Sequence, residues 1–99
     1  MFQKATKPAP MVCPPLFGNG AAADGRRGEF DFKNRVLVTN ETPVDIVFIG
    51  DSITHLWELN AYFRRFGLVV NRGIGGDIAQ HVAERFEGDV LQLRPRVAV

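Results

Sequence analysis

One stretch limits the folds open to this chain more than any other: Val44-Asp45-Ile46-Val47-Phe48-Ile49-Gly50-Asp51-Ser52-Ile53-Thr54. The residues from Val44 to Ile49 are apolar except Asp45 and mostly β-branched, the pattern of a strand buried on both faces, as in parallel sheets. Pro43 enters that strand where a missing N–H costs least. Gly50 lets the backbone turn sharply at its end, and Asp51, Ser52 and Thr54 are residue types that cap a following helix. The pattern therefore predicts a serine hydroxyl at the carboxyl end of a central strand beside a helix N-terminus, where open α/β sheets hold their ligands.

Downstream, Leu56, Leu59, Tyr62, Phe63 and Phe66 recur at helical spacing and predict an amphipathic helix over 54–66, ended at Gly67. Trp57 is expected to pack. Leu68-Val69-Val70-Asn71 reads as a second strand, and Gly73, Gly75 and Gly76 form the turn that leaves it. Asp77 is expected to cap a second helix, with Ile78, Val82, Phe86 and Val90 facing the sheet and Gln80, Glu84, Arg85 and Glu87 facing away. Gly88 is expected to bend or end that helix, Pro95 stops any continuation, and Val97-Ala98-Val99 begins another apolar run. Strand, helix, strand, helix and the start of a strand is the order of a right-handed parallel α/β sheet.

Two of these segments resemble a known family. Phe48-Ile49-Gly50-Asp51-Ser52-Ile53-Thr54 is similar to the first sequence block of the GDSL, or SGNH, esterases and lipases, and Asn71-Arg72-Gly73-Ile74-Gly75-Gly76-Asp77 to the second. The resemblance covers about Pro43 to Val99. It implies a three-layer, flavodoxin-like parallel sheet, here cut short after the second helix, with residues 43–99 as the N-terminal portion of an SGNH hydrolase domain. It also implies Ser52 as the catalytic nucleophile and the N–H groups of Ser52 and Gly76 as two of three oxyanion donors, with Gly50, Asp51, Asn71, Gly75 and Asp77 shaping the turns. The family's third donor, an asparagine in a Gly-x-Asn-Asp block, and its Asp-x-x-His block have no counterpart in these residues, so the chain is expected to be inactive by itself. The implied substrate is a small-molecule, carbohydrate or lipid ester; no cofactor and no metal are implied. The block spacing and Ile74-Gly75-Gly76-Asp77 look closest to the platelet-activating-factor acetylhydrolase-like and carbohydrate acetylesterase members.

The residues also allow other chemistry to be weighed. His55 and His81 are each near enough in sequence to the turns to be imagined as a base, but each is better read as a capping or solvent-facing residue, and Asp77 with His81 as a surface pair. Asp51 and Asn71 are expected to hydrogen-bond nearby backbone. The competing reading is a nucleotide-binding module, because Gly73-Ile74-Gly75-Gly76 sits between a strand and a helix; against it, the third glycine of a dinucleotide fingerprint falls at Ile78. A non-catalytic remnant of the fold is the third possibility.

Composition narrows the partners. A formal charge of +1 gives no electrostatic reason for nucleic acid or an acidic membrane as partner, and no run approaches the ~18 apolar residues of a membrane span. Cys13, the single cysteine, cannot form an internal disulfide and is expected to be an exposed, unreactive thiol. Prolines at 8, 10, 14 and 15 interrupt any signal-peptide core, which leaves a cytoplasmic location as the default. Residues 1–42 are expected to be disordered or weakly structured, with a short helix between Glu29 and Thr42 and Met11 as a possible later start. Oligomeric state is not legible.

Overall fold

The computed structural model describes residues 11–14, 16–18 and 20–99; the expectation of an unstructured leader over 1–10 lies outside the described residues. The elements in chain order are helix α1 (Asp24–Thr39), strand β1 (Ile46–Gly50), helices α2 (Ser52–Leu56) and α3 (Leu59–Phe63), a 3-10 turn at Arg64–Phe66, strand β2 (Val69–Gly73), helices α4 (Ala79–Glu84) and α5 (Phe86–Asp89), a 3-10 turn at Leu91–Leu93, and strand β3 (Val97–Ala98). The fold is α/β, with one three-stranded parallel sheet of order β2-β1-β3, an order compatible with a flavodoxin-like architecture.

The period of two along the strands divides the side chains between two layers. Val47 and Val70 face one side, where they join Val44, Val90 and Leu93 with Leu37 and Val38 of α1 and Phe86 of α5. Phe48 and Val69 face the other, against Leu59 and Phe63 of α3. The register pairs Val47 with Val70 and Phe48 with Asn71, so each layer is continuous across the two strands. A third cluster, Ala23, Phe30 and Ile74 with Phe17 and Ala22, seats the start of α1 beside the turn that leaves β2.

Several expectations need correcting. The region before residue 43 is not weakly structured over its second half: α1 starts at Asp24, ahead of the Glu29 expected from sequence, and runs for 16 residues. Its hydrophobic positions are few because its inner face is partly polar, with Arg27, Phe30 and Asn34 buried, and this hides it from a search for an apolar stripe. Ahead of it, the Gln92 side chain accepts from Val12 N–H at 3.0 Å and donates to Val12 C=O at 2.9 Å, pinning the chain there as a sheet partner would. Cys13 is exposed, as expected.

The single helix expected over 54–66 is two short helices with a break at Trp57 and Glu58. Asn71 explains the break: its Nδ2 donates to Thr54 C=O at 2.8 Å and to Trp57 C=O at 3.3 Å, taking carbonyls that a continuous helix would have used internally. Trp57 packs edge-on against Phe48 and Phe63, with ring centroids 5.4 and 5.3 Å away. Strand β2 continues past Asn71 to Gly73. The second helix is likewise divided at Arg85, and Ile78 at its start is more than half exposed. No described helix is long and apolar enough to cross a membrane.

Candidate functional site

Strands β1 and β2 end at one level, with Gly50 paired to Gly73, and Ile74 N–H donates to Gly50 C=O at 3.0 Å. Both outgoing turns therefore leave the same edge of the sheet, the carboxyl edge where α/β folds bind ligands. On the first, Asp51 caps α2 by accepting from Ile53 N–H at 3.2 Å, and Ser52 is the first residue of the helix, exposed to solvent. On the second, Asp77 N–H donates to Ile74 C=O at 3.1 Å and closes a turn with Gly76 at φ +84°, the left-handed region that favours glycine. The two turns touch: a Cβ on Gly75 would lie 3.8 Å from Ser52 Cβ and 3.3 Å from His55 Nδ1. Among the described residues, neither the Ser52 nor the Gly76 N–H has a hydrogen-bond acceptor. Asn71 adds the last brace, accepting from Gly73 N–H at 2.8 Å while holding the end of α2.

Beneath the turns lies a buried set of charges. Arg85, fully buried, donates through Nε to Asp77 at 2.9 Å and through Nη1 to Asp89 at 2.8 Å. The same guanidinium reaches Arg72 C=O at 2.9 Å and Gly50 C=O at 3.2 Å, so it holds the ends of both strands. Arg72 donates through Nε and Nη2 to Asn34 Oδ1 at 3.0 and 2.8 Å, and Asn34 in turn donates to Asp89 at 2.8 Å and to Gly88 C=O at 3.1 Å. Arg26 donates to Gly73 C=O at 3.2 Å and, like Arg72, stacks over the Phe30 ring. Burial lowers the Arg72 pKa to about 10, partly offset by Asp89, so the side chain remains charged at neutral pH. Two buried arginines face two buried aspartates, and every buried polar side-chain atom among the described residues has a partner.

The histidines differ from each other. His55 is not a solvent-facing residue: its Nδ1 accepts from Gly75 N–H at 2.7 Å. That bond needs the lone pair on Nδ1, so the neutral ring carries its proton on Nε2 and has no free basic nitrogen for Ser52. His81 stacks flat on Phe17, centroids 4.3 Å apart. Its partner Asp77, 3.7 Å away, has a fully buried side chain, so the pair is no surface pair. Nor is Asp77 the cap residue of the second helix, a position held by Ile78 with no side-chain bond; its carboxylate is shared, Oδ1 accepting from Ile78 N–H at 3.0 Å and Oδ2 from Arg85 Nε at 2.9 Å.

Sequence reasoning missed the arginines. Arg85 was expected to face away, on the ground that charges are usually solvated. A signal was nevertheless available: Asp77, His81, Arg85 and Asp89 fall four apart, a second stripe alongside Ile78, Val82, Phe86 and Val90. Arg72, set in a strand directly after Val69, Val70 and Asn71, carried a similar signal. The glycine turn, for its part, has Gly75 N–H committed to His55 and precedes a helix of six residues, which gives the nucleotide-binding reading no support.

Comparison with known proteins finds a partial similarity. Platelet-activating factor acetylhydrolase IB subunit alpha1 of Rattus norvegicus is 39% identical to this chain over 59 residues, 56% of the chain and 25% of the relative. The proteins of the same name from Bos taurus and Mus musculus match to the same extent. The matched stretch thus spans a quarter of the length of these curated relatives. No family model matches the chain, and no solved structure matches it.

Proposed function

We propose that this chain carries the nucleophile-bearing part of an SGNH-type ester hydrolase site, in which the Ser52 hydroxyl attacks a carboxylic ester carbonyl. The observation that carries the reading is the pair of N–H groups, on Ser52 and Gly76, that find no acceptor among the described residues, at two turns that touch beside an exposed serine. Attack would put negative charge on the carbonyl oxygen, and preorganised N–H donors lower the free energy of that oxyanion without reorganising. The partial similarity to an acetylhydrolase subunit adds to this reading and favours a short acyl group.

Ser52 needs a base to take its proton. His55 is engaged through Nδ1 and His81 is stacked on Phe17, so the reading takes the base, its orienting acid and a third oxyanion donor from the family's later blocks. Gly50, Asp51, Asn71, Gly75 and Asp77 shape the turns and touch no substrate. Asp77 acts through Arg85, which grips the carbonyl at the end of β1.

A fluorophosphonate probe tests the assignment in a protein that carries the family's later blocks together with this chain, because phosphonylation needs the serine activated by its base. A covalent adduct mapped by mass spectrometry to Ser52, absent in Ser52→Ala, is the expected result. Labelling at another serine, or labelling unaffected by Ser52→Ala, would overturn it. Gly76→Ala is a poor test here, since φ +84° makes alanine strained whatever the role of the N–H.

A further inference from the structure

We infer that His55 is a positioning residue: its ring ties the turn carrying the Gly76 N–H to the helix that begins with Ser52. The catalytic consequence rests on the ester-hydrolase reading; the tether itself does not.

The turn at 74–77 has few other restraints. Ile74 is held to β1 and Asp77 N–H bonds back to Ile74, but between them stand two glycines in succession, the residues with most backbone freedom to lose. The Gly75 N–H bond to His55 Nδ1, at 2.7 Å, is the tie between those two anchors among the described residues. It fixes Gly75, and the orientation of the Gly76 N–H follows from that residue's conformation. At the other end, His55 N–H donates to Asp51 C=O at 2.9 Å, so the imidazole is mounted on the turn of backbone that carries Ser52. The glycine at 75 eases the approach, because a Cβ there would stand 3.3 Å from the ring nitrogen, closer than an ordinary contact. Nucleophile and oxyanion donor come from strands 23 register positions apart in sequence (Gly50 against Gly73), and His55 sets one relative to the other at the point where they meet. Losing it would lower kcat more than it changes KM, because a misaimed donor is felt chiefly in the transition state.

Protonation would also cut the tether, since Nδ1–H is a donor facing a donor. The charged groups that share a cavity of about 500 Å³ with His55 are Arg26 and Lys33 of α1 and Arg72 of β2; Asp51 heads its own helix with its carboxylate on Ile53 N–H.

The test uses the 15N-labelled full chain. Ring nitrogen shifts should report the Nε2–H tautomer. His55→Phe keeps a planar ring without an acceptor and should speed Gly75 amide exchange about five- to tenfold, the factor for one net hydrogen bond. His55→Asn, whose Oδ1 can stand near the place of Nδ1, should stay within about twofold of the parent. Should His55→Phe fail to fold, the parent protein gives the same information: as acid protonates the ring, Gly75 exchange, corrected for its intrinsic pH dependence, should rise in step with the ring signal. An Nδ1–H tautomer, or Gly75 exchange indifferent to the ring's state, would overturn the tether. In the catalytic arm, run on a protein that carries the family's later blocks together with this chain, Ser52 phosphonylation should slow in His55→Phe and recover in His55→Asn. Exchange that responds as expected while no variant is ever labelled supports the tether and refutes the ester-hydrolase reading separately.

Discussion

The two faces of the sheet are held together by different physics. On the α2–α3 face, Phe48, Leu59 and Val69 pack with Phe63 and Trp57, aromatic against aliphatic, and the helices that cover them are five residues each. On the α1–α5 face, an aliphatic layer around Val47 and Val70 gives way, toward the carboxyl edge, to Arg72, Arg85, Asp77, Asp89 and Asn34. The apolar face rests on area and shape, with Asn71 as a polar brace between β2 and α2. The charged face needs every partner present, because a buried ion that loses its counter-charge costs far more than a lost contact. Specific geometry at the strand ends thus comes chiefly from the charged face, where guanidinium donors grip the carbonyls of Gly50, Arg72 and Gly73, with Asn71 holding Gly73 N–H from the other side.

The sharpest way to break this contrast is Arg85→Met. It leaves the carboxylates of Asp77 and Asp89 buried without their cation, and about 3–5 kcal/mol of stability should be lost in urea unfolding. A loss below about 1 kcal/mol would mean that the charged face contributes no more than the aromatic one. Next in size is Asn71→Ala, which frees Gly73 N–H and the carbonyls of Thr54 and Trp57; about 2 kcal/mol should go, with Gly73 amide exchange accelerated.

On the aromatic face, Phe48→Leu keeps most of the buried volume and should cost only about 1 kcal/mol by the same unfolding measurement. A cost equal to that of Arg85→Met would show the aromatic packing to be as specific as the ion pairs. Ser52→Ala is smaller again: the side chain is exposed at a helix start, so stability should change by less than about 1 kcal/mol, while fluorophosphonate labelling of a protein that also carries the family's later blocks disappears.

The smallest effect is a pH dependence. Backbone N–H groups of Phe17 and Gly18 donate to the Asp24 carboxylate at 2.9 and 2.8 Å and hold its pKa below the ordinary 3.8. A folded pKa below the unfolded one means that Asp24 contributes stability above about pH 4, and that this is lost as pH falls through the folded value. The melting-temperature difference between the parent and Asp24→Asn should therefore narrow in acid; a gap that widens would have the wrong sign for these bonds.

Legibility followed the same division between the faces. The strands β1 and β2, the serine at the turn and the glycine turn opposite it could be read from residue order because apolar runs and glycines report local backbone. The break in the helix after Ser52 could not, since it depends on an amide 14 and 17 residues away in Asn71. Nor could α1 be read at its true length: its inner face includes Asn34, which is polar in sequence yet buried because Arg72 and Asp89 meet it there.

What the sequence determined by itself, then, is the alternation of strand and helix and the delivery of Ser52 and the Gly75-Gly76 turn to one edge of a parallel sheet, because burial period and turn chemistry are local properties of the chain. Only the tertiary structure decided which charges go inside, that His55 would spend its Nδ1 on Gly75, and that Asp77 would divide its carboxylate between Arg85 and the Ile78 N–H. A polar side chain's cost of burial depends on whether a partner waits for it, and partners that come from different strands and helices exist only once the chain has folded.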